Sequence, residues 1–143
     1  MTGAVYRIDV RVRAPVKDTE VPARVADSIT NIFPDADLER RESEIVGETH
    51  TLSHFSELLH RQEILDTARA QLHAGRQDPY IEFELKKQAA FQGVINFAVG
   101  GPAELGTIDV TIKVTDPDVD SFIDSIAPPT EDGRPIDPAS DSS

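Results

Sequence analysis

The residues whose chemistry first invites a site are the four histidines, His50, His54, His60 and His73. His50 and His54 stand four apart, a spacing that on a helix would align two metal ligands. Residues 49–53 read instead as a strand-to-helix junction, and no HExxH-type pattern sets an acid beside them. His60 and His73 read as surface residues of a long helix. Glu82 and Glu84 would share one strand face, as paired carboxylates for acid–base work do, but two acids at that spacing on a solvated strand are commonplace. There is no G-x-S-x-G elbow, no P-loop and no G-x-G-x-x-G, and Gly100-Gly101 runs into Pro102 rather than opening a helix. The expectation is a protein that is not an enzyme, with no metal and no cofactor.

Binding chemistry is the alternative. Arg7, Arg11 and Arg13 form the best basic cluster, on one side of an alternating segment, and could meet phosphate. The plainer reading is a solvated strand face whose arginines pair with Glu82 and Glu84 across a sheet. Fourteen basic residues face 26 acidic ones, for a net charge of −12, and only Lys17, Lys86, Lys87 and Lys113 are lysine. Phosphate binding rests on clustered Lys and Arg, so DNA is not expected as a partner. An acidic, lysine-poor surface suits a salt-rich, halophilic cytoplasm, where screening tolerates self-repulsion. No cysteine is present, which removes disulfides, thiolate catalysis and cysteine-based metal sites. No window approaches the roughly 18–20 apolar residues needed to cross a bilayer, and the arginines near the start interrupt any signal-like run. The expected location is cytoplasmic, with no membrane partner.

The elements that must position these residues follow from periodicity. Residues 5–14 alternate, with Tyr6, Ile8, Val10 and Val12 on one side, as in a half-buried strand. Asp18 or Thr19 is placed to cap a helix carrying Val21, Val25, Ile29 and Ile32 on one face, which must end before Pro34. Residues 36–40 and 44–50 read as short strands around a polar turn. Ser53 offers an N-cap for a helical stretch to His73, broken or bent near Arg61 and ended by Gly75. Leu58, Ile64, Leu65, Ala68 and Leu72 form its apolar stripe, with ion pairs Glu57–Arg61 and Asp66–Arg69 outside. Three strands follow: residues 81–86, residues 91–99 with Phe91, Ile95, Phe97 and Val99 inward, and residues 108–114. Gly100-Gly101-Pro102 reads as a hairpin loop. Residues 117–126 read as a closing amphipathic helix capped by Asp116. A single domain over residues 1–127 and a Pro/Asp/Ser-rich tail over residues 128–143 complete the plan.

This order gives an α+β fold: a five- to six-stranded, mainly antiparallel sheet with helices packed on one face. Among sheets of this shape, RRM-type ones bind single strands by stacking bases on exposed aromatics. Here Tyr6, Phe83, Phe91 and Phe97 all fall in phase with the aliphatic residues, so the open face is expected to lack a stacking platform.

Two runs, Arg61-Gln62-Glu63-Ile64-Leu65-Asp66-Thr67-Ala68-Arg69 and Lys87-Gln88-Ala89-Ala90-Phe91, carry a resemblance. With Ile32-Phe33-Pro34-Asp35-Ala36 and residues 127–136, they resemble the archaeal uncharacterised protein family 0201, over most of the chain. The resemblance implies a fold similar to the RNA-binding domain of ribosomal protein L5, itself related to RRM-like folds. It implies a non-catalytic binding module, with RNA or a ribonucleoprotein as a partner by fold analogy. The other reading is a protein-interaction domain, expected as a homodimer through the open face or an edge strand. The candidate binding surface comprises Arg7, Arg11 and Arg13, the family-matching Asp66, Arg69, Lys87 and Gln88, and Arg134 in the tail turn.

Overall fold

A computed structural model describes residues 7–98, 106–116, 118–131 and 134–135. β1 (Arg7–Pro15) leads into α1 (Pro22–Ile32), then β2 (Asp37–Arg40) and β3 (Glu44–Thr49). α2 (Ser53–Arg61) and α3 (Leu65–Ala74) follow, then β4 (Arg76–Gln77) and β5 (Tyr80–Lys86). α4 (Lys87–Ala90), β6 (Thr107–Asp116), α5 (Val119–Ile126) and a small hairpin of β7 (Thr130–Glu131) and β8 (Arg134–Pro135) complete the order. The main sheet has six strands in the order β2-β3-β1-β6-β5-β4, all antiparallel. The α+β class and the helices gathered on one sheet face agree with the periodicity.

Alternation decides which face is which. β1 buries Ile8, Val10, Val12 and Ala14 and exposes Arg7, Asp9, Arg11 and Arg13. β6 buries Ile108, Val110, Ile112 and Val114, and β5 buries Ile81, Phe83 and Leu85. Against this face pack Val25, Ile29 and Ile32 of α1, Phe55, Leu58 and Leu59 of α2, Leu65, Ala68 and Leu72 of α3, and Phe122 and Ile123 of α5. Phe33, Phe55, Phe83 and Phe97 run through this core in succession, with ring centroids 5.7, 5.6 and 5.6 Å apart. Such offset and edge contacts add to area burial.

Several expected boundaries shift. α1 begins at Pro22, with Val21 as an uncapped N-cap, so neither Asp18 nor Thr19 caps it. Ser53 is the first residue of α2 rather than its cap. The break expected near Arg61 is present: the helical stretch is two helices, separated at residues 62–64 where Glu63 takes φ 57°. α5 starts at Val119 and its cap is Asp118, whose carboxylate accepts from the Ser121 amide at 2.7 Å. The expected strand over residues 91–99 is not a strand in its described part. Just before it Lys87-Gln88-Ala89-Ala90, which are helix formers, make one turn of helix, and residues 91–93 continue as a turn. Only Phe97 bridges to Leu85, and Gln62 closes both backbone groups of Ile95, at 3.0 and 2.9 Å. Tyr6 and the Gly100-Gly101-Pro102 loop lie outside the described residues.

Candidate nucleic-acid interface

The open face of the sheet is laid out in rows by the strand register. Asp9 of β1 stands opposite Lys113 of β6, and Lys113 opposite Tyr80 of β5. The next row runs Glu48, Arg11, Thr111, Glu82, and the one beyond it Glu39, Val46, Arg13, Asp109, Glu84. Because β6 separates β1 from β5, the arginines of β1 cannot pair with Glu82 and Glu84 as expected. Arg13 instead reaches Glu44 of β3 at 3.1 Å. With its register neighbour Glu39 it flanks Val46, which is buried although it lies on the open face. Arg7 sits at a register shift opposite Asp116.

The open face does carry an aromatic. Tyr80 is 42% exposed, in phase with Glu82 and Glu84 rather than with Phe83. The alternation that turns Phe83 inward turns Tyr80 outward, so the signal was present one residue ahead of the first apolar position. Phe83 and Phe97 are buried as expected, and Phe91 is half-buried, with the Arg24 guanidinium 5.9 Å from its ring centre. A groove of about 370 Å³ is lined by Tyr80, Lys113, Thr111, Asp9, Arg11, Glu48 and His50. Among the described residues neither Arg11 nor Lys113 makes an ion pair. The groove thus offers two uncommitted cations and one exposed ring. At its far side the His50 Nδ1 lies 3.1 Å from the Asp9 carboxylate and 3.1 Å from the Ile8 carbonyl.

The opposite half of the face is acidic. Partial burial, and the Asp109 carboxyl directly across the strand pair and hydrogen-bonded to it, push Glu84 above the usual carboxylate range. The neighbouring like charge disfavours ionisation of Glu84. The acidic charge of the open face is therefore concentrated at its Glu84 end.

Of the other sequence-derived candidates, Asp66, Arg69 and Lys87 have structural partners. Asp66 and Arg69 do not pair with each other. Asp66 accepts from the Thr130 hydroxyl, while Arg69 donates to Asp124 at 2.7 Å and to the Ala127 carbonyl at 3.1 Å. The family-matching run at residues 64–69 thus holds the segment that follows α5. Lys87 is fully buried and belongs to the interior: its Nζ donates to the Pro15 carbonyl and to Glu20, each at 2.7 Å. Burial alone pushes the Glu20 carboxyl up, but hydrogen bonds from Lys87 and the Lys17 amide outweigh it and hold the group below the usual range. Gln88 is exposed on α4; the residue that closes backbone groups is Gln62, whose role no local spacing announced. Arg134 pairs through its backbone with Glu131 in the small hairpin. Among the described residues no group of His, Asp and Glu could hold a metal ion, and no helix is long and apolar enough to cross a membrane.

Fold and groove define a class: an α+β protein with one helix-covered and one open antiparallel sheet face. The family described as RNA binding matches residues 9–114. The UPF0201 protein of Methanopyrus kandleri is 39% identical over 85% of this chain and 85% of its own length. A UPF0200/UPF0201 protein of Archaeoglobus fulgidus is also 39% identical, over 90% of this chain, which spans 40% of that longer relative. The crystal structure of the UPF0201 protein from Methanococcus jannaschii superposes with a TM-score of 0.83 at 36% identity, covering 90% of this chain and 99% of that one. The chain belongs to the archaeal UPF0201 family.

Proposed function

We propose that this protein is a non-catalytic module that binds single-stranded RNA at the Tyr80 end of its open sheet face. The observation that carries the reading is the groove in which the exposed Tyr80 ring stands beside Lys113 and Arg11, neither cation committed to an acid among the described residues. The description of the matching family, RNA binding, points the same way. Aromatic stacking is tolerant of base identity and needs an unstacked base, which a single strand supplies and a duplex does not. Two cations near one ring suit a short contact rather than a long phosphate track. The rest of the surface, at a net charge of −12, repels nucleic acid and confines the contact to this groove.

The test is fluorescence anisotropy with labelled single-stranded and duplex RNA, on the wild type and on Tyr80→Ala and Lys113→Glu. Single strands are expected to bind and duplexes not. Tyr80→Ala should cost about 1–3 kcal/mol, roughly five- to 150-fold in affinity. Absence of binding to any single strand from about 0.05 to 1 M salt sinks the reading, whatever the variants do.

A further inference from the structure

We infer that His50 makes this groove selective for ribose over deoxyribose, its Nε2 accepting a hydrogen bond from an RNA 2′-hydroxyl. The inference rests on the single-stranded RNA reading above and adds to it the kind of sugar the groove accepts.

The argument starts from what Nδ1 faces. It lies 3.1 Å from the Ile8 carbonyl oxygen and 3.1 Å from Asp9 Oδ1. A carbonyl and an ionised carboxylate can only accept, so Nδ1 must carry the hydrogen. In the neutral ring the lone pair is then on Nε2, a pure acceptor. This is second-partner control of a histidine tautomer. The two contacts turn the Nδ1 edge toward β1 and leave the Nε2 edge of a side chain that is 79% exposed available to a ligand. Among the described residues no hydrogen-bond partner for Nε2 is present.

Position supplies the rest. His50 follows β3 immediately, and Tyr80 opens β5, so the groove crosses β3, β1, β6 and β5. Three strand spacings amount to about 14 Å. A base stacked on Tyr80 leaves its backbone over Lys113, and the ribose of a neighbouring nucleotide reaches the His50 side. A phosphate is a poor occupant beside the neutral ring, where Nε2 and the Asp9 carboxylate are both acceptors. A hydroxyl donor is a good one. The 2′-hydroxyl is the group by which a protein tells RNA from DNA at a given contact.

The experiment compares three labelled octamers on the full chain in mildly alkaline buffer: U8, dU8 and the 2′-fluoro form of U8. The fluoro sugar keeps the RNA pucker but cannot donate, so it separates hydrogen bonding from sugar shape. U8 should bind about fivefold or more tighter than both others, the scale of one neutral hydrogen bond. His50→Phe, which keeps an aromatic ring and removes the acceptor, should narrow the U8-to-dU8 ratio toward one. If 2′-fluoro U8 binds as tightly as U8, the inference is overturned, since shape alone then discriminates. Equal binding of U8 and dU8 also overturns it while leaving the single-strand reading in place. No binding of any octamer overturns both. Should His50→Phe fail to fold, the three octamers on the wild type decide the matter alone.

Discussion

Lys87 illustrates how a family-matching polar residue can be structural. It lies at the β5–α4 junction, yet its ammonium crosses the interior to tie together the end of β1 and the approach to α1. Glu20 Oε1 takes the ammonium of Lys87 and the amide of Lys17, while its Oε2 is buried with no partner among the described residues. Removing the cation leaves a buried, uncompensated carboxylate, so Lys87→Met should cost about 3–5 kcal/mol in urea denaturation. The double variant Lys87→Met/Glu20→Leu should recover most of that loss; a double variant as unstable as the single one refutes this account. Glu20 titrates below its unfolded value, so its contribution is present above pH about 4.5 and lost as the pH falls through its folded value. An acid titration should therefore flatten the difference between wild type and Lys87→Met. None of this was legible in the sequence, because the two residues are 67 positions apart and neither sits in a periodic pattern that marks it as buried. Tyr80 was legible: the alternation of β5 places it opposite to Phe83, one residue before the apolar run begins.

At the scale of elements, the sequence pattern served best where period two or a heptad-like stripe ran unbroken, as in β1, β5, β6 and the face of α3. It misled at residues 91–98, where Phe91, Ile95 and Phe97 are apolar but the helical turn of Lys87 to Ala90 runs into them and Gln62 at the end of α2 closes Ile95. Gln62→Ala leaves both Ile95 backbone groups unpaired in a half-buried place and should cost about 1–3 kcal/mol by thermal or urea unfolding. A loss within error would show that water replaces the amide. The Glu84–Asp109 pair across β5 and β6 runs the opposite way in pH from Glu20. Its raised titration favours the folded state below pH about 4.5, and that advantage is lost as pH rises through the folded value. Glu84→Gln should thus stabilise the protein at neutral pH, by about 0.5 kcal/mol on a solvated face, and lose the gain in acid. The edge strand β2 bears on assembly. Asp37 and Glu39 share the open face, so the symmetric antiparallel pairings of two β2 edges that overlap three residues and continue that face set Glu39 against Asp37 or against a second Glu39. Like charges opposed across a strand pair are unfavourable. Light scattering at low salt should therefore show no dimer built through this edge, and a dimer abolished by Glu39→Arg would contradict the argument.

The whole molecule sets a groove of balanced charge, Arg11 and Lys113 against Asp9 and Glu48, within an acidic exterior. With a Debye length near 10 Å at 0.1 M salt, long-range repulsion is screened before the short contacts to Lys113 and Arg11 are. RNA affinity should rise with salt up to about 0.1 M, then fall with a slope of about −1.4 on log axes, as two phosphate contacts on a single strand require. A steep monotonic decline would mean a longer basic track than the groove provides. Family membership was legible from the runs at residues 61–69 and 87–91. Why those runs recur in the architecture was not, since each acts on a distant partner: Asp66 on Thr130, Arg69 on Asp124, Lys87 on Glu20. The exposure of Tyr80 has an optical consequence. The chain contains no tryptophan and only two tyrosines, Tyr6 and Tyr80. In a Tyr6→Phe background the intrinsic emission comes from the groove alone, so an unlabelled nucleic acid seated on that ring would announce itself by dimming the protein's own light.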